Sequence, residues 1–387
     1  MSVIGSNVLA GASGQAAGYE IERSLRFNSA DSAYLSRTPS SAGNRTTWSL
    51  AMWVKRSAIT TGGAAGLMSL FGWQSGGSGQ SGVIGYDAST DKLSFGQVAS
   101  TYRLTNAVFR DVAAWAHLLF VWDSNNSTDS QRCRIYVNGS EASYSSAPSI
   151  SSGTQLDVNT TVAHGIGADI VTGSGSARDF FSGYLADIHF IDGQALAPTD
   201  FGEYDDNNVW QPIEYTFGTN PNNGTTWNST YAAAFLGNAM TDSALVGSYS
   251  GLNSSITITL SSSVQVISSL KLNLYASVAN FSTYTTISIN GTDETANMTL
   301  VQSTGTNSGV WEVTGFTGTL SSITLGAQNG ANNGISRVIV DGFTLLNGAD
   351  DNSFHLDFSD NSTAAALGTD TSGNSNTWTV MRRSTLC

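Results

Sequence analysis

Residues 48–56, WSLAMWVKR, constrain the fold more than any other stretch of this chain. Trp48, Leu50, Met52 and Val54 recur every second residue, so they share one face of an extended strand, while Ser49, Ala51, Trp53 and Lys55 share the other. No helix collects those residues on one side. The same short runs repeat along the first half: SLRFN, AYLSR, LMSLFGW, GVIGYD, KLSFGQ, WAHLLFVWD, CRIYVNG and FFSGYLADIHFID. Each is bounded by Gly, Ser, Asn or Asp. Asn138-Gly139 after RIYV predicts a tight hairpin, because both residues accept the positive φ of its central positions. Many short strands joined by polar turns predict an all-β chain of packed sheets.

With 387 residues, the chain is long enough for two such sandwiches. Composition shifts near Tyr215: after Pro221 there is no further proline, and Ser and Thr dominate runs such as SITITL, SLKLNLYASV, YTTISIN and SRVIVDGF. Leu270, Leu272 and Leu274 share one strand face, with Lys271, Asn273 and Tyr275 on the other. The expected organisation is an N-terminal attachment arm over 1–22, a first sandwich over 23–215, a smaller sandwich of about seven strands over 216–349, and a strand with a polar tail over 350–387. A piece covering 20–215 is expected to fold alone. The alternative is that FHLDF, 354–358, returns to the first sandwich and makes 216–349 an insertion.

A formal charge of −13 without any cluster of Lys or Arg argues against nucleic-acid phosphate as a partner. Residues 179–215 carry eight acids and no Lys or Arg, a strip read as a solvated rim. Cys133 and Cys387 provide neither a disulfide framework nor a thiolate metal site and are expected to be free thiols. The N-terminus lacks a basic leader and no segment is apolar enough for a membrane span, so the chain is expected to be made in a cytoplasm.

The ordered set SLRFNSADSAYLSR, WSLAMWVKR, AAWAHLLFVWD, RIYVNG, IGAD and FFSGYLADIHFIDGQAL resembles the laminin-G-like, concanavalin A-like jelly roll over about residues 23–200. That resemblance implies that Trp115 and His117 lie on a core strand, that Tyr136 to Gly139 form a hairpin, and that the Phe-x-Gly-x-Leu strand closes a sheet. The family commonly carries an Asp where this chain has Ala186, with Asp187 beside it. The opening IGSNVLAGASGQ, the phrases FIDGQALAPTDFGE and FHLDFSDNS, and the Ser/Thr-rich second half resemble tail-fibre and other virion proteins of marine bacteriophages.

The resemblance implies a virion protein, as tail fibre, spike or head decoration. Its lectin-like domain would meet host-surface glycans, neighbouring virion proteins and sister subunits of a homo-oligomer. Two rivals stay open: a structural cement that touches no glycan, and a glycan-cleaving depolymerase. Asp187 and His189 lie two apart and project to the same side, as a dyad would require, but no nucleophile is marked. No Glu-x-Asp-x-x-Glu run supplies paired carboxylates, so no enzyme is expected. Ala186, Ile188 and Phe190 are expected in the core, with Asp187 and His189 on the wet side.

Candidate binding residues sit in two oxygen-rich loops, Asp123, Asn125, Asn126 and Asp129 in one, and Asp200, Asp205 and Asp206 in the other. Calcium is the ion such ligands would hold, although neither loop has the EF-hand Gly and terminal Glu. Trp53, Trp73, Trp115 and Trp122 are candidate sugar platforms, set against the usual place of tryptophan in a sandwich core. GSGSARDF and GGSGQSGV lack the Lys-Ser/Thr that follows a phosphate-binding loop.

Overall fold

A computed structural model of the chain describes residues 19–59, 66–77, 80–97, 100–173, 175–215, 248–250, 255–303, 306–331, 333–344 and 352–381. The first seventeen strands are β1 (Leu25–Phe27), β2 (Tyr34–Arg37), β3 (Thr47–Arg56), β4 (Leu67–Gln74), β5 (Ser81–Asp87), β6 (Leu93–Gln97), β7 (Ser100–Thr105), β8 (Ala116–Asp123), β9 (Cys133–Val137), β10 (Ser140–Glu141), β11 (Tyr144–Ser146), β12 (His164–Ile166), β13 (Asp169–Ile170), β14 (Ala177–Arg178), β15 (Gly183–Asp192), β16 (Gly202–Tyr204) and β17 (Trp210–Pro212). Ten more, β18 (Ser248–Ser250), β19 (Ser255–Val266), β20 (Leu270–Tyr275), β21 (Thr285–Ile289), β22 (Thr292–Asp293), β23 (Met298–Ser303), β24 (Ser308–Val313), β25 (Gly318–Ala327), β26 (Asn333–Val340) and β27 (Phe343–Thr344), build the second sandwich. The chain then enters β28 (Phe354–Leu356) and β29 (Thr379–Met381). Among the described residues the α-helical content is one turn, Phe281–Tyr284, and no helix is long and apolar enough to cross a membrane.

The first sandwich is a jelly roll of two antiparallel sheets. One runs β1-β15-β3-β8-β9-β10, with β28 also paired to β15; the other runs β11-β7-β6-β5-β4-β12-β2-β29. Period-2 alternation sets the core: Trp48, Leu50, Met52 and Val54 all enter the cluster between the sheets, together with Phe71, Trp73, Phe95, Trp122 and Phe190. The Asn138-Gly139 turn joins β9 to β10 with φ of 47° and 80°. Three tryptophans that open β3 and end β4 and β8 (Trp48, Trp73, Trp122) are fully buried.

FHLDF does not stand apart. His355 lies level with His189 in the β15–β28 pair, and β29 pairs with β2. Phe354, Leu356, Phe358 and Trp378 are buried in the same core as Trp48. The core expected to close within 23–215 therefore draws four large side chains from beyond residue 350, with the second sandwich lying between the two contributions in the chain. The junction expected near 215–222 falls largely outside the described residues, as does most of the attachment arm (1–18) and Cys387.

The second sandwich packs a six-stranded sheet, β18-β26-β20-β24-β23 with β27 on β26, against a four-stranded one, β19-β25-β21-β22. Leu270, Leu272 and Leu274 all face its core. It has more strands than the spacing suggested because β22 and β27, at two residues each, are too short to show alternation.

Candidate functional site

β15 carries the feature that shapes the site. Ala186 lies opposite Trp53 on β3, but the next paired residue, His189, lies opposite Ala51, so Asp187 and Ile188 together face the single residue Met52. This is a β-bulge, and Asp187 takes the left-handed conformation it requires, with φ 50°. The extra residue resets the alternation: Leu185, Ile188 and Phe190 point into the core, while Ala186, Asp187 and His189 all lie on the outer face. The expectation that Ala186 shares the core face with Ile188 is corrected for that reason.

The outer face is also not wet, contrary to expectation. Asp187 is only 5% exposed and His189 2%. Residues 193–215 fold back over β15, β3 and β8, placing Phe201 and Tyr215 at 5.6 and 5.7 Å from the His189 ring and Trp210 at 6.0 Å from that of His117. Trp210 lies over Gly139 and Gly202, where a Cβ would run into its ring. Ala51, Leu119, Val121, Tyr136, Ile191 and Phe201 form a second small core beneath this cover. Part of the acidic strip is thus a lid on the sheet, not a solvated rim.

Under the lid, Asp187, His189 and His355 meet Tyr19. The Tyr19 hydroxyl donates to Asp187 Oδ1 at 2.8 Å, and His355 Nε2 lies 2.8 Å from the same oxygen. A carboxylate only accepts, so His355 carries its proton on Nε2, and its Nδ1 is 3.0 Å from the Thr371 hydroxyl. His189 Nδ1 is 3.2 Å from the Asp187 carbonyl oxygen, which fixes the other tautomer for His189. Burial pushes His189 down to about 4, so it is neutral at neutral pH. Burial opposes ionisation of Asp187, but His189, His355 and the Tyr19 hydroxyl outweigh it and hold the carboxyl below the usual range. Tyr19 is pushed well above the ordinary phenol value by burial and by the Asp187 charge.

Among the described residues this is the one group of three His, Cys, Asp or Glu whose ligand atoms converge, all within 4.8 Å. Its geometry does not suit an ion. The two imidazoles stack at 4.0 Å with 14° between their planes, so in-plane lone pairs run side by side and do not meet at one point. As arranged, the cluster is a hydrogen-bonded clasp joining residue 19, β15 and β28.

Beside the clasp the outer face opens. Across the strands, Arg26 on β1 is level with Tyr184 on β15, and Tyr184 with Lys55 on β3. Continuing the β3–β8 register one residue past Val54–Ala116 brings Trp115 level with Lys55. One step along, Trp53 sits between Ala186 and His117. Trp53, Lys55, Trp115 and Tyr184 are half-buried and Arg26 is exposed. Trp115 and Tyr184 meet edge to face at 6.4 Å, and the Trp53 and His117 rings are 5.4 Å apart. Of the four tryptophans singled out in the sequence, Trp73 and Trp122 are core, whereas Trp53 and Trp115 line this strip.

Most of the named residues in the two loops singled out as oxygen-rich are engaged by backbone N–H groups or by neighbouring side chains. Asp123 Oδ2 accepts from Asn126 Nδ2 at 3.0 Å, Asn126 Oδ1 accepts from Thr128 N at 3.0 Å, and Asp129 Oδ1 accepts from Ile150 N at 2.8 Å. Asn125 is buried and donates to Thr46 Oγ1 at 2.8 Å. Asp200 Oδ2 accepts from Ala197 N at 2.7 Å, and Asp205 Oδ1 accepts from Asn207 N and Val209 N at 2.9 and 2.8 Å. Asp206 is exposed on the same turn. Sequence reasoning missed Tyr19, Trp210 and the cations Arg26 and Lys55, and it did not bring His355 together with Asp187. Only the alternation of FHLDF, which puts His355 opposite to Phe354 and Leu356, carried a signal for any of them.

Residues 28–200 match the family model described as the concanavalin A-like lectin/glucanases superfamily. Three solved structures are similar to part of this chain. A candidate carbohydrate binding protein of Bacteroides ovatus is 12% identical, with TM-score 0.31, covering 43% of this chain and 42% of that one. Domain 4 of AbnA, a GH43 extracellular arabinanase of Geobacillus stearothermophilus in complex with arabinotriose, is 20% identical, with TM-score 0.27 and coverage of 40% and 65%. The SAP-like pentraxin of Limulus polyphemus is 15% identical, with TM-score 0.29 and coverage of 44% and 77%. The chain thus spans less than two thirds of the first two. No curated protein matches. The first sandwich thus has a concanavalin A-like jelly-roll fold.

Proposed function

We propose that the first sandwich is a carbohydrate-binding module without catalysis, and that the chain serves as a structural component of a bacteriophage particle in a tail fibre, spike or head decoration. The observation that carries the first part is the strip Trp53–Trp115–Tyr184, three aromatic rings left half-exposed on a sheet whose other large aromatics are buried. The apolar face of a sugar ring stacks on such side chains, and few polar groups are then needed to orient it. The clasp supplies one carboxylate, already bonded to Tyr19 and His355, where most glycoside hydrolases use two flanking the scissile bond. The virion setting rests on the phrases FIDGQALAPTDFGE and FHLDFSDNS and on the opening segment. There, sister subunits and neighbouring virion proteins would be the other partners, and copy number would multiply weak contacts into avidity.

A glycan array probed with the wild-type chain and with Trp115→Ala tests the binding. Retention of a set of glycans by the wild type and its loss in the variant is expected; no retention by either leaves a purely structural role. A reducing-end assay that detects release of sugar would make the protein a depolymerase. Immunolabelling of purified particles tests the virion setting.

A further inference from the structure

From Arg26 and Lys55 we infer that the aromatic strip takes an acidic oligosaccharide, one bearing a carboxylate or sulfate on its repeating unit. This rests on the carbohydrate-binding reading and narrows it. The chain has 29 acidic and 16 basic residues, so acids outnumber the cations available to pair with them. Arg45, Arg56, Arg110 and Arg178 are indeed held by Asp157, Asp91 and Asp169. The side chains of Arg26 and Lys55 make no ion pair or hydrogen bond among the described residues. They flank Tyr184 on either side in the same row across the sheet, with Trp115 beyond Lys55.

Two open cations in register with half-exposed rings suit a ligand that stacks and is charged. The ring faces take the sugar, the guanidinium can grip a planar carboxylate or a sulfate with two parallel N–H bonds, and the ammonium adds a point charge. Asp187, the buried carboxylate on the same strand as Tyr184, is bonded to Tyr19 and His355 beneath the lid and makes no ion pair with these cations among the described residues. The net negative charge of the chain repels an acidic polymer at long range, which leaves recognition to this local pair and makes it sensitive to salt.

The test compares titration of the full chain with oligogalacturonate, with a sulfated galactan oligosaccharide, and with a neutral galacto-oligosaccharide of equal length, at low and high salt. At least one acidic ligand should bind about tenfold more tightly than the neutral one, and high salt should erase the difference. Which acidic ligand does so identifies the anion. Arg26→Gln and Lys55→Met, at positions outside the core, should each remove most of this preference while leaving thermal stability and neutral-sugar binding unchanged. Equal affinity for neutral and acidic ligands, or a preference that survives both substitutions, overturns the inference but leaves the carbohydrate-binding reading standing. Failure of every oligosaccharide to bind overturns both.

Discussion

Removing residues 352–381 should unfold the first sandwich even though all of residues 19–215 remain. The segment contributes Phe354, Leu356, Phe358 and Trp378 to the core, all at most 3% exposed. Trp378 lies 5.0 Å from Phe354 and 6.2 Å from Phe71, and Phe354 stacks on Phe190 at 5.7 Å. Burying each such side chain stabilises by about 1.5–3 kcal/mol, so the four together contribute roughly 6–12 kcal/mol. That is comparable with the whole stability of an ordinary domain, about 5–15 kcal/mol. The loss of β28 and β29 also bares one side of β15 and of β2 to solvent. Urea unfolding of residues 19–215 followed by tryptophan fluorescence is the assay. It should show no cooperative transition, and joining 352–381 to residue 215 by a short flexible linker should restore one. A single substitution gives a graded version: Trp378→Ala should cost about 3–5 kcal/mol. A cooperative transition of 19–215 at the midpoint of the full chain would refute the reasoning and put the closing of the core within the first segment alone.

Acid should destabilise the fold, because burial pushes His117 down to about 3 and His164 and His189 to about 4 from an ordinary 6.5. The unfolded chain then binds protons first, so this stability is complete above about pH 6.5 and is lost as pH falls toward 4, at about 1.4 kcal/mol per pH unit for each histidine. Denaturation midpoints that stay flat between those limits would contradict the neutral assignments. Asp187→Ala should lower stability by about 1–3 kcal/mol by stripping Tyr19 and His355 of their acceptor, and Asp187→Asn by less, since Asn tolerates the left-handed backbone; thermal melts of both variants decide it. Cys133 is fully buried and its thiol is pushed up to about 12 by burial, so native protein should resist iodoacetamide and become reactive only on addition of denaturant, as mass spectrometry would record.

Local alternation was readable wherever one face meets the core: Trp48 to Val54 and Leu270 to Leu274 divide between their faces as the spacing implies. The Asn138-Gly139 turn was equally readable, since its positive φ values demand those residue types. The same rule failed on β15, because a bulge adds one residue without any mark in the sequence and shifts the register between Ala186 and His189. Burial of Asp187 and His189 depends on partners far along the chain. Tyr19 and His355 each lie 168 residues from Asp187, and Phe201, Trp210 and Tyr215 cover the face only after the chain doubles back. In the 123–129 and 200–206 loops, an Asp that caps a turn and one that awaits a ligand have the same spacing. Only the positions of Ile150 N and Val209 N show which role the oxygens of Asp129 and Asp205 have.

The central claim is that sugars stack on the half-exposed rings of the first sheet's outer face, and tryptophan emission during an oligosaccharide titration tests it most directly. Trp48, Trp73, Trp122 and Trp378 are buried and should not respond, whereas Trp53 and Trp115 are half-buried on the proposed strip and should. The account predicts a saturable blue shift in the wild type and in Trp378→Phe that shrinks in Trp115→Phe and again when Trp53→Phe is added. A shift of the same size in all these proteins, or no shift with an oligosaccharide that calorimetry shows to bind, would place the sugar elsewhere and contradict the account.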